Sequence, residues 1–168
     1  MTARCTDFEA TVAKSGDAAY LILTCTSNSK KKVYKCFEVV VSGDSLSVGG
    51  VASLTFIDKI DMDIVLKSLQ AFGNWLAKRL NEGRSRVGYI EEMIAKFVAY
   101  SLCKERGRIV ECLKQCKLVT RKGPIGWKAV YQMFVNTKDM PKQVEEPKFW
   151  AGELPEECTR SSSSASSS

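Results

Sequence analysis

Four lysines and a tyrosine fall within six residues, Lys30, Lys31, Lys32, Tyr34 and Lys35, between the apolar runs YLILTCT and FEVVV. Ammonium groups hold phosphates, and exposed aromatic faces stack bases whatever the base identity. A second basic region is larger. Between Lys78 and Lys128 there are 13 Lys/Arg against 5 Asp/Glu. Arg84 and Arg86 follow one helical pattern, while Arg121, Lys122, Trp127 and Lys128 surround a Gly-Pro-Ile-Gly stretch. With Tyr20 on the strand before the lysine run, these residues form a candidate surface for single-stranded nucleic acid. Lysine and arginine would contact phosphates, and Tyr20, Tyr34 and Trp127 would stack. A charged hairpin tip also discourages edge aggregation, so the lysine run has a structural use besides.

Other chemistry is poorly supplied. The chain has no histidine, which removes the commonest general base and the commonest metal ligand. Its seven cysteines include no CxxC. Cys112 and Cys116 lie four apart with Cys103 nine residues earlier, which falls short of a zinc spacing and reads as buried small side chains. Asp61/Asp63 and Glu91/Glu92 suit the first turns of helices. Neither Gly49-Gly50 nor KGPIG matches a phosphate-loop or dinucleotide pattern. A non-enzymatic protein without a cofactor is expected.

The net charge is +6, yet residues 139–168 hold three basic against six acidic residues, so the part before them is more basic than the whole. A basic body favours anionic partners. No apolar run has membrane-spanning length, and the N-terminus lacks a basic-then-apolar leader. An odd cysteine count without framework spacing predicts a reducing, intracellular compartment, cytoplasmic or nuclear.

The elements that must position these residues follow from periodicity. Residues 6–57 predict four antiparallel strands: DFEATVAK, YLILTCT, VYKCFEVVV and Leu46–Ile57, the last broken at Gly49-Gly50 by a bulge or a tight turn. Val65, Leu69, Phe72, Leu76 and Leu80 then form one helical stripe, with acids in the first turn and Lys78/Arg79 in the last. A second helix is expected over about Arg86–Glu105 and a short third over Arg108–Lys117. The stretch KLVTRKGPIGWKAVYQMFV is either a helix in its second half or a hairpin turning at Gly123–Gly126, the turn residues favouring the hairpin. From Lys138 on, prolines, mixed charge and the ending SSSSASSS predict a disordered tail, in which Phe149 and Trp150 could dock and the serines could accept phosphate. The expectation is thus an α+β fold. A four-stranded sheet and long helix span 1–83, a helical extension with a possible winged hairpin spans 84–137, and a tail spans 138–168.

The segments DFEATVAK-SGDAAYLILTC, KKVYKCFEVVV and SLTFIDKIDMDIVLKSLQAFGNWLAKRL resemble, in their order of strands and helix, the β-β-β-β-α unit of PUR-repeat and Whirly proteins. The resemblance implies a curved sheet that binds single-stranded DNA or RNA, usually as a dimer. Residues 87–135 resemble a winged helix, with Arg121 and Lys122 on the wing and Lys114 and Lys117 beside the nucleic acid. The competing expectation is a subunit of an assembly, pairing through an exposed sheet edge and the tail aromatics.

Overall fold

The computed structural model describes residues 4–84 and 88–159. Its centre is one open antiparallel sheet of seven strands in meander order, not the four expected. The strands are β1 (Thr6–Ser15), β2 (Ala18–Ser27), β3 (Lys30–Ser42), β4 (Ser45–Val48), β5 (Ala52–Thr55), β6 (Lys117–Thr120) and β7 (Gly123–Ile125). Two features add strands. Gly49 and Gly50 have φ of 57° and 70°, the left-handed geometry of a tight turn, so Leu46–Ile57 folds into two strands rather than one bulged strand. Farther on, β6 pairs with β5 (Ser53 opposite Val119, Thr55 opposite Lys117), so the second half of the chain extends the same sheet.

Three helices, α1 (Met62–Asn81), α2 (Ile90–Arg106) and α3 (Ile109–Gln115), intervene between β5 and β6, and α4 (Trp127–Asn136) follows β7. Asp61 caps α1 by accepting a hydrogen bond from the Asp63 amide at 2.9 Å. Val65, Leu69, Phe72 and Leu76 are buried as their spacing predicts. They pack on Ala10, Val12, Leu21, Leu23 and Val39 of the sheet, in one core that also takes in Ile94, Phe97 and Phe134 from the later helices. The hairpin expected to turn at 123–126 turns instead at Arg121-Lys122. WKAVYQMFVN is helical, because Val130 and Phe134 fall on one face and Phe134 stacks on Tyr100 at 3.8 Å between ring centres.

The stretch expected to be disordered from 138 is laid back on the body as far as 159. The Val12 amide donates to the Lys148 carbonyl at 2.9 Å, and the Trp150 amide donates to the Val12 carbonyl at 2.8 Å. The strap bridges the outer edge of β1 at Val12, one position of that ten-residue strand. Its far end buries Cys158 against Tyr20 and Ile22 on the outer face of β2. Gln70, fully buried on α1, holds the strap from beneath. Its Nε2 donates to the Ala10 carbonyl at 3.0 Å and its Oε1 accepts from the Lys148 amide at 2.8 Å. Gln70→Leu leaves both backbone groups without their partner. The expected cost is about 2–3 kcal/mol, with faster proteolysis between 140 and 159, read by urea melts and timed digestion.

Six cysteines are paired, Cys5–Cys25, Cys36–Cys158 and Cys103–Cys112, against the expected absence of a disulfide framework and, for Cys103 and Cys112, the expected small unpaired core side chains. Cys116 keeps a free thiol. Among the described residues, no helix is long and apolar enough to cross a membrane.

Candidate nucleic-acid interface

The meander decides which basic residues meet. Because consecutive strands alternate direction, the β2–β3, β4–β5 and β6–β7 turns all lie at one end of the sheet. That hairpin end carries Lys30–Lys35 and Arg121-Lys122. The C-terminus of α1 reaches the same end: Asn81 Nδ2 donates to the Phe8 carbonyl at 3.0 Å and Asn81 Oδ1 accepts from the Phe8 amide at 2.6 Å. Lys30–Lys35 lie on β3, three strand spacings or about 14 Å from β6, and the register sets the Arg121-Lys122 turn level with Glu38, so Lys35 to Lys30 project roughly 10–26 Å farther along the strands. The two basic regions therefore point the same way from the sheet, the lysine hairpin extending well past the β4–β5 and β6–β7 turns.

The lysine hairpin is built for exposure. Asn28 and Ser29 both take left-handed φ, 54° and 63°, which suits a two-residue hairpin turn. Beyond the turn, Leu23 pairs with Lys35 and Thr24 with Val33, leaving Tyr34 in a bulge. Tyr34 is 44% exposed and meets only the edge of Phe8 among the rings, at 5.0 Å between centres. Lys31 is spent on Glu9, 2.8 Å away. The Lys31 hydrogen bond and charge hold the Glu9 carboxyl below its ordinary range. Lys30, Lys32 and Lys35 are exposed, and no described residue forms an ion pair with them.

At the other turn, Arg121 is exposed and without an ion pair among the described residues. Lys122 sits over the Tyr89 ring, its Nζ 4.5 Å from the centre. Tyr89 is 63% exposed and holds φ at 59° at the start of α2. It was missing from the sequence reading because an isolated tyrosine before a helix carries no periodic signal. Lys78 and Lys148 were also missed as a pair. They line an open groove of about 320 Å³ between β1 and α1, with Phe8, Glu9, Asn74 and Asn81.

The remaining candidates are placed elsewhere. Arg84 reaches the hairpin end but is engaged by Asp139 at 3.1 Å and Glu82 at 3.4 Å. Arg86 lies outside the described residues. Tyr20 is core, 7% exposed, its hydroxyl donating to Glu38 at 3.1 Å, and burial followed by that carboxylate pushes its pKa up. It has no face to offer a base. Trp127 and Lys128 lie at the opposite end of the sheet, since β7 and the start of α4 run away from the β6–β7 turn. Lys114 and Lys117 are there too, against the winged-helix expectation: Lys117 pairs with Thr55 where β5 leaves for α1, and Lys114 Nζ lies 5.2 Å from the Trp127 ring centre.

Residues 6–81 contain five strands before the helix, one more than the unit they were compared with. No family model, curated protein or solved structure matches the chain.

Proposed function

We propose that this protein is a non-enzymatic binder of single-stranded nucleic acid, RNA or DNA, with little sequence preference, and that the hairpin end of the sheet is its contact surface. The observation that carries the reading is two sets of exposed, un-neutralised cations on hairpins that point the same way, Lys30/Lys32/Lys35 and Arg121/Lys122, each beside an exposed tyrosine, Tyr34 and Tyr89. A bound strand would span up to about 30 Å between the two sets, within the range of sites of about 4–16 nucleotides on single-strand binders. The cytoplasmic or nuclear compartment expected from the sequence would hold the cysteine pairs as thiols, so the three disulfides tell against it. The assembly-subunit alternative keeps an exposed Phe149, 60% accessible, and the β7 edge, while the strap occupies the β1 edge at Val12 and holds Trp150 half-buried.

Binding of a labelled single-stranded oligonucleotide, read by fluorescence anisotropy across a salt series, tests the proposal. Five phosphate contacts predict a log K against log salt slope of roughly −3.5. Absence of binding at low salt would sink it and leave the assembly subunit as the better account.

A further inference from the structure

Cys103, Cys112 and Cys116 come together where α2, α3 and the start of β6 meet. Their sulfurs all lie within 4.8 Å of one another. Cys112 and Cys116 share a face of α3 and its cap, four residues apart, and both face Cys103 near the end of α2. Cys103 and Cys112 are buried, whereas Cys116 is part-exposed and gives the cluster an opening to solvent. The Cys103 and Cys116 sulfurs are 3.9 Å apart. That is close to the separation of two thiolates about 2.3 Å from one metal ion. The cluster is independent of the basic end of the sheet, being built at the α3 side of the fold.

We infer that, in the reduced chain, Cys103, Cys112 and Cys116 form a three-thiolate site for a soft monovalent cation, Cu(I). Three observations select the ion class. The donors are all sulfur, which favours soft cations. The chain has no histidine, and no fourth Cys, Asp or Glu joins the cluster among the described residues. Zinc in a structural site takes four ligands, so a three-sulfur set suits a cation content with three. Burial pushes the Cys116 thiol up to about 11 and the nearby Arg106 charge offsets only part of this, so metal binding itself must drive the proton off.

Loading is balanced as follows. A thiol reductant opens the Cys103–Cys112 disulfide with two electrons and two protons, and leaves as its own disulfide. The three thiols then give up three protons to solvent as three sulfur–copper bonds form. A disulfide oxidant takes two electrons from the Cys103 and Cys112 thiolates and two protons from solvent, leaves as two thiols, and re-forms the pair with release of the Cu(I), so occupancy follows the redox state.

The test is an anaerobic titration of the phosphine-reduced full chain with Cu(I), against a coloured Cu(I) chelator, followed by alkylation and mass mapping of every cysteine. The expected result is one copper retained per chain, near-ultraviolet thiolate-to-copper absorption, and protection of Cys103, Cys112 and Cys116 but not of Cys5, Cys25, Cys36 or Cys158. Cys116→Ser, whose part-exposed side chain leaves the buried pair intact, should lose the retained copper while melting like the wild type. A copper that survives Cys116→Ser, or that protects the other four cysteines equally, overturns the site. Displacement of the copper by Zn(II) alone overturns the three-coordinate assignment. The alkylation map of the wild type decides the matter even if a variant fails to fold.

Discussion

Changing Lys30, Lys32 and Lys35 together to glutamate is expected to weaken binding to a single-stranded oligonucleotide by about 100-fold at 0.1 M salt. Each exposed ion pair with a phosphate contributes up to about 1 kcal/mol, and reversal adds repulsion to the loss. The three side chains make no ion pair among the described residues, so their removal breaks none of the described contacts. The melting behaviour should therefore stay within about 0.5 kcal/mol of wild type. Lys31→Glu is the informative contrast, because Lys31 already satisfies Glu9 and contributes less to the outside. Anisotropy at fixed salt, with a urea melt of each variant, separates lost contact from lost fold. Unchanged affinity in the triple variant would remove the lysine hairpin from the interface.

The second large effect is on stability and sits at Gly73. Glycine inside α1 ordinarily costs helix stability, and replacing it by alanine gains about 1 kcal/mol where space allows. Here a Cβ would lie 2.5 Å from Leu21 Cδ1 and 2.7 Å from Ala10 Cβ. The Leu21 methyl can swing aside, but the Ala10 Cβ is fixed to the β1 backbone, so helix and sheet must part. Overpacking of this kind costs about 1–3 kcal/mol, and more for a larger side chain. Gly73→Ala is expected to lower stability by about 2 kcal/mol and Gly73→Val by more than about 3 kcal/mol. Both are read from denaturant midpoints at constant slope. A Gly73→Ala chain more stable than wild type would mean that α1 does not seat on β1 and β2 as closely as described.

Legibility in the sequence followed element length. α1 was plain because its stripe runs for five turns and its charged ends match the dipole. β1, β2 and β3, at ten to thirteen residues, declare their alternation or their β-branched content. By contrast β4 to β7 are three or four residues each, too short for a period of two to be told from chance. The split at Gly49-Gly50 was one of two open alternatives, and only the pairing of β4 with β5 decides it. The strap was hidden for another reason. Its order comes from Gln70, a polar side chain that recognises backbone groups 60 and 78 residues distant, and such a partnership leaves no local pattern.

The candidate site was legible in residue type and not in placement. Lys30–Lys35 and Arg121-Lys122 stand out as charge runs in any reading. Their arrival at one end of the sheet depends on the number of strands between them, and a four-stranded count gives no relation between them. The winged-helix resemblance put Lys114 and Lys117 with Arg121, and nearness to the Gly-Pro-Ile-Gly stretch put Trp127 and Lys128 there, although the direction of β6 and β7 carries all four to the other end. Tyr20 was a poor stacking candidate because its neighbours Leu21, Ile22 and Leu23 are buried on alternate faces, so both faces of that strand are covered.

The claim that one end of the sheet binds the strand is tested most directly by comparing salt slopes for three chains on the same oligonucleotide. These are the wild type, a hairpin-end variant with Lys30, Lys32, Lys35, Arg121 and Lys122 changed to alanine, and an opposite-end variant with Lys114, Lys117 and Lys128 changed to alanine. The account predicts that the slope falls from roughly −3.5 to near zero in the first variant and stays at the wild-type value in the second. A wild-type slope in the hairpin-end variant, with the loss in the opposite-end variant instead, would contradict it.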